Sequence, residues 1–259
     1  MKTDSAVSAV RTITVRPRPL IIEAGGAVDP CSTCDARSES VCSSIDEAHL
    51  ERLASAAIVT EVEAGKTFIA EGDPANDFYN ITSGSAKIYK LLPDGRRQIT
   101  GFAQSGVFLG LAVSDVYAFS AEAITKLRYC RFPRRKLRAL MDDFPALEKS
   151  LLQTASNELV AAQEQMLLLG RKTARERLAS FLLARSEAGK PCGHGQDHID
   201  LPMSRSDIAD YLGLTIETIS RTFTRLKNEK LIALPNNTRV DVRTRDELPH
   251  GAGGSARED

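Results

Sequence analysis

The run SRSDIADYLGLTIETISRTFTRLKNEKL, residues 204–231, leaves this chain the fewest folding options. Ser204 or Ser206 can cap a first helix whose apolar positions are Ile208, Ala209 and Leu212. Gly213 stands where a tight turn needs a positive φ. Thr215 then begins a second helix with Ile216, Ile219, Phe223 and Leu226 on its buried side. Two short helices joined by a glycine turn make a helix-turn-helix. On the opposite face Glu217, Ser220 and Arg221 follow an i, i+3, i+4 spacing, so they can enter one major groove together.

Those side chains suit base edges. Arg221 can donate a bidentate pair to guanine O6 and N7, and Glu217 can accept from cytosine N4 or orient Arg221. Ser220 can donate, accept or rest against a thymine methyl. Arg205, Thr215, Thr224 and Arg225 suit phosphates, which position a domain without reading sequence. The competing interpretation is a solvated face carrying an i,i+4 Glu–Arg pair. Charge distribution weighs against it: the chain is neutral overall, yet residues 171–245 hold 14 Lys plus Arg against 9 Asp plus Glu, a net of +5.

The rest of the chain divides by texture. Residues 1–30 show no sustained period and read as a flexible tail. Residues 31–44 contain Cys31, Cys34 and Cys42 in a C-x2-C-x7-C pattern. SIDEAHLERLASAAI has helical spacing. Short β-rich runs such as DFYNI, AKIYKLL and KLRYCRF then alternate with turns such as EGDPAND and PDGR. They predict an antiparallel β-roll over residues 45–134. Residues 135–170 read as a long helix in which Leu152, Ala155, Leu159, Ala162, Met166 and Leu169 are spaced 3, 4, 3, 4, 3. That heptad seam asks for a partner helix, and its small residues favour a parallel homodimer. Residues 171–245 would form a winged helix-turn-helix and residues 246–259 a disordered tail. The fold class is α+β. No apolar run spans a membrane, no signal peptide is visible, and five cysteines is an odd number, so a cytoplasmic protein with reduced thiols is expected.

A β-roll, a long dimer helix and a winged helix-turn-helix resemble the Crp/Fnr family of bacterial transcription regulators across roughly residues 45–243. TIETISR resembles the E-x-x-S-R recognition helix of the Fnr branch, and MLLLGRKTARERLASFLL resembles that branch's run from dimer helix into DNA-binding domain. The Crp branch has Arg where this chain has Ile216, and Gly where it has Ser220. The resemblance implies a cyclic-nucleotide-binding-like jelly roll, a symmetric dimer on a TTGAT-N4-ATCAA box of double-stranded DNA, and contact with RNA polymerase.

Crp-type domains hold cyclic AMP through a Gly-Glu pair and an Arg beside Ser or Thr. Here SGVFLGLAVSDVYAFSAEAITKL has no Glu after Gly106 or Gly110 and no Arg before Lys126, so a cyclic phosphate would lack its bidentate partner. No cyclic nucleotide is expected. Cys130 lies in a late strand of the roll, and four thiolates from Cys31, Cys34, Cys42 and Cys130 suit a [4Fe–4S] cluster or Zn2+, which spacing does not separate. Fnr-type oxygen sensors carry this ligand set, so the resemblance implies the cluster. The enteric type has a shorter gap between the second and third cysteines, and the longer gap here resembles the alphaproteobacterial FnrN and FnrL group. Buried, unliganded cysteine would also explain Cys130 alone. Cys192, near His194 and His198, reads as a surface thiol. Two other functions compete: a regulator with structural zinc or no metal and no oxygen response, and a ligand-binding signalling module that does not bind DNA. No P-loop, Ser/His/Asp set or paired carboxylates point to an enzyme.

Overall fold

The computed structural model describes residues 30–111, 115–188, 198–244 and 247–248. Nearly all of the two expected tails, together with Cys192 and His194, lies outside the described residues.

Among the described residues, eight strands form the N-terminal domain: β1 (Ile58–Val62), β2 (Thr67–Ile69), β3 (Asp77–Ser83), β4 (Ala86–Leu91), β5 (Arg97–Ala103), β6 (Phe108–Leu109), β7 (Ser120–Ala123) and β8 (Leu127–Pro133). They pair antiparallel into two four-stranded sheets, β1-β8-β3-β6 and β2-β7-β4-β5. Tyr79, Ile81, Leu127 and Tyr129 meet Ile69, Ala86, Ala121 and Ala123 in the core of the roll. Because side chains alternate along a strand, the intervening residues Phe78, Cys130 and Phe132 belong to a second core. That core buries Cys31, Val41, Cys42 and Ile45, helix α1 (Leu50–Ala56), and residues of the next two helices.

The long helix expected over 135–170 is two helices, α2 (Arg134–Asp143) and α3 (Pro145–Arg171). Pro145 forces the break: Phe144 before it is held at φ −127°, ψ 83°, out of the helical region, and Pro145 itself sits at the first position of α3. Leu147 and Leu151 pack the start of α3 against the cysteine segment, while its middle stands clear of the protein.

After α4 (Ala174–Ala188) come β9 (His198–Asp200), α5 (Arg205–Leu212), α6 (Ile216–Asn228), β10 (Ile232–Asn236) and β11 (Arg239–Val242). The three strands form a small antiparallel sheet, β10-β11-β9, beside the helices, and Leu178, Leu182, Ile208, Leu212, Ile219, Phe223 and Leu226 fill one core. No described helix is long and apolar enough to cross a membrane.

Candidate nucleic-acid interface and cysteine site

The helix-turn-helix is locally over-determined. The Ser204 hydroxyl accepts from the Asp207 amide while the Asp207 carboxylate accepts from the Ser204 amide, a closed capping box on α5. Gly213 ends α5 at φ 62°, ψ 40°, and a Cβ there would come within 3.3 Å of Leu169, so glycine serves both the turn and the packing. Thr215 caps α6 by accepting from the Thr218 amide. Glu217, Ser220, Arg221, Thr224 and Arg225 lie exposed along α6. The Ser220 hydroxyl donates to the Ile216 carbonyl at 2.8 Å, which leaves its oxygen to accept from a base. Hydrogen bonds from its own amide and from Thr215 hold the Glu217 carboxyl below the usual carboxylate range, and Arg221 adds to them, which favours its anionic, accepting form.

Three placements differ from the sequence expectation or add to it. Ile216, expected on the buried side, is 45% exposed beside Glu217, because it is the first residue of α6 and precedes the turn that packs. Arg205 lies half-buried with its guanidinium 3.4 Å from the centre of the Phe223 ring, a cation–π contact that ties α5 to α6. Leu169 turns inward against the helix-turn-helix core, while Leu152, Ala155, Leu159, Ala162 and Met166 stay exposed along α3, joined there by Val160 and Leu167.

The roll grips the reading domain. Lys87 on β4 is buried and bonds Glu122 at 3.0 Å and Asp207 at 3.0 Å. Arg97 on β5 reaches Asp207 at 3.0 Å and Asp210 at 2.8 Å, and Gln98 donates to the Asp210 carbonyl. Burial pulls the Asp207 carboxyl upward, but hydrogen bonds from Ser204 and Lys87 outweigh it and hold the group below its ordinary range. Phe102, Phe181 and Tyr211 pack together with tilted rings beside this cluster. Arg177 completes the joint: it donates to the carbonyls of Leu169 and Lys172 at the end of α3 and of Leu212 at the end of α5.

The cysteines gather at the opposite pole. Cys31 and Cys42 are buried, Cys34 and Cys130 half-buried, and Cys34 and Cys130 line one cleft with Val59 and Arg128. Ser40 accepts from the Cys42 amide and shapes the turn that carries it. Gly106, at φ 87°, lets this segment close on the roll: a Cβ there would stand 3.0 Å from Glu39. Burial pushes the Cys42 thiol up to about 11, with Ser40 opposing and Cys34 adding. Burial, with Cys42 and Cys34 adding and Arg128 opposing, pushes the Cys130 thiol up to about 12. Among the described residues no three His, Cys, Asp or Glu side chains are drawn close enough to hold a metal ion. The donor set nevertheless fits a thiophilic metal or cluster: soft sulfurs from a turn-rich segment and a rigid strand, in an apolar place where neutral thiols gain little.

Known proteins show the same architecture. The Crp-like helix-turn-helix domain family matches residues 176–250, and the cyclic nucleotide-binding domain family matches residues 59–144. The chain is 42% identical over 220 residues to the nitrogen fixation regulation protein FixK of Bradyrhizobium diazoefficiens, covering 85% of this chain and 92% of that one. It is 37% identical over 216 residues to the transcriptional activator protein FnrL of Cereibacter sphaeroides, covering 82% and 87%. The solved structure of FixK2 from Bradyrhizobium japonicum covers 76% of this chain and 99% of its own, with a TM-score of 0.71 at 34% identity. The fold and these relatives together define a DNA-binding transcription regulator. The chain belongs to the Crp/Fnr family.

Proposed function

We propose that this chain is a homodimeric, oxygen-responsive regulator of low-oxygen genes. It reads a TTGAT-N4-ATCAA-like palindrome with Glu217, Ser220 and Arg221, and Cys31, Cys34, Cys42 and Cys130 would hold a [4Fe–4S] cluster. The observation that carries this reading is the shared core in which the cysteine segment packs on Leu147 and Leu151 of α3, the helix whose exposed apolar stripe awaits a partner. When bound, the cluster supplies oxygen-labile redox chemistry. The chain's own residues supply the rest. Val41, Cys42 and Ile45 fix the N-terminal segment against the first turns of α3, and α3 presents Leu152, Leu159 and Met166 to its partner. Arg177 joins the end of α3 to the reading domain, so the order of the segment bears on how two recognition helices are held.

Ile216 adds an apolar group to the reading face that can cover a thymine methyl. Arg205 is stacked on Phe223 with one Nη buried and unpartnered, so contact with a phosphate requires its side chain to swing out of that place. Relatives named as transcriptional activators support a role in activation, for which the family resemblance implies contact with RNA polymerase. A cyclic nucleotide is disfavoured by the Phe68, Tyr79, Tyr117 and Tyr129 rings that pack in the roll interior.

Protein purified without air should contain about four iron and four sulfide per monomer, with a broad visible band that bleaches in air. Fluorescence anisotropy should show the intact form binding the palindrome more tightly than the bleached form. That no three of these thiols are drawn together among the described residues favours a second reading, a regulator with structural zinc or no metal. Stoichiometric zinc, or no metal with undiminished DNA binding in air, would establish that reading instead.

A further inference from the structure

The cysteine pole contains a polar side chain that the ligand set does not use. Asn80 lies on β3 and is 1% exposed. Its strand neighbours Tyr79 and Ile81 face the roll core, which places Asn80 on the cysteine side with Phe78. Its direct cross-strand partner is Cys130, so the two side chains share that face. The Nδ2 of Asn80 donates to Cys42 Sγ at 3.7 Å. Its Oδ1 is buried with no hydrogen-bond partner.

A half-satisfied carboxamide in an apolar layer destabilises the fold, and leucine, close to it in size, would fill the place without that penalty. Asn80 makes sense where electron-rich sulfur needs a donor. One cysteine is bonded to it and another faces it across the strand pair, and a carboxamide carries two N–H groups.

We propose that Asn80 is a positioning residue of the cysteine site, donating to the Cys42 sulfur and setting how readily a cluster held there loses an electron. This rests on the cluster reading above. A hydrogen bond to a thiolate withdraws electron density, favours the more reduced state and raises the reduction potential. Without it a cluster held there would give up an electron more readily, with dioxygen as the acceptor, reduced to superoxide.

The test compares the wild-type full chain with Asn80→Leu and Asn80→Asp, all purified without air. For Asn80→Leu the half-life of the visible band in air-saturated buffer should fall about fivefold, the size expected for losing one charge-assisted hydrogen bond in part. Its reduction potential should move negative. Metal-free Asn80→Leu should melt no lower than metal-free wild type, because the orphaned oxygen is gone. A merely structural Asn80 predicts the opposite pair: a lower melting temperature with potential and half-life unchanged. Asn80→Asp sets a carboxylate against thiolates and should lower iron per monomer. Should Asn80→Leu not fold, Asn80→Ala removes the same donor and must show the same negative shift. Unchanged potential and half-life in the folded variant overturn the proposal and leave the cluster reading standing. Wild type that takes up no iron and sulfide overturns both.

Discussion

At one end of this molecule a capping box on Ser204 and Asp207, a left-handed Gly213 and a Thr215 cap hold the recognition helix before any DNA arrives. At the other end raised thiols, an orphaned Asn80 oxygen and cysteines drawn from a turn-rich segment and a strand leave the polar groups of the site partly unanswered. The reading end is complete in the free chain. On the function proposed above, the cysteine pole is complete only with something bound. A stiff reader minimises the ordering cost of meeting DNA. The proposed sensor must instead change when its ligand leaves, so part of its stability would come from that ligand.

Substitutions can break this contrast or sharpen it. Arg221→Ala should have the largest effect, a loss of about 1–3 kcal/mol per reading head and so roughly twice that for two heads on a palindrome. Anisotropy should show that loss with an unchanged melting curve, since Arg221 is exposed. A fall in melting temperature would mean that the reading end is less independent than its caps suggest. Asp207→Asn comes next, because it weakens the cap and the buried pairs with Lys87 and Arg97, costing about 3 kcal/mol in urea unfolding. The sign with pH follows from the depressed carboxyl. Its contribution is present above the ordinary carboxylate pKa and lost as pH falls through the folded value, so acid should destabilise wild type more than Asp207→Asn.

Leu159→Ala should weaken self-association by about 2 kcal/mol per helix, read by sedimentation equilibrium, without loss of monomer stability. Metal uptake separates the two ends again. Because burial holds Cys42 near 11 and Cys130 near 12, a bound ion must displace protons, and Cd2+ affinity should rise about tenfold per pH unit for each proton released. Titration calorimetry at pH 6.5 and 8.5 measures it, and a flat response would mean that these thiols are not the ligands. The smallest effect belongs to Arg175→Ala: its pair with Glu229 is partly exposed, and its removal should cost under about 1 kcal/mol.

Much of the reading end was legible because its signals are local. A cap, a glycine and an amphipathic face all lie within residues 204–231, and the structure forms the two helices there. Even so, Ile216 was assigned to the wrong face, since periodicity does not tell the first residue of a helix from those a turn later. The break in the long helix was also written in the chain, at Pro145, but heptad spacing over the following residues masked it. The roll-to-reader grip had no local trace: Lys87 and Arg97 stand more than a hundred residues before Asp207, and ion pairs across that distance follow only from the fold. Asn80 was hidden for a related reason. In DFYNI it looks like an ordinary interruption of an apolar strand, and it becomes informative only once Cys42 and Cys130 are beside it.

Arg177, with one guanidinium on three carbonyls, removes the slack between α3 and the turn of the helix-turn-helix. Two reading heads mounted this way on paired α3 helices hold a set rotational phase as well as a set separation. Duplex DNA turns once in about 10–10.5 base pairs. A spacer lengthened by a single pair therefore swings one half-site around the axis by roughly a tenth of a turn, and heads without torsional play cannot follow it.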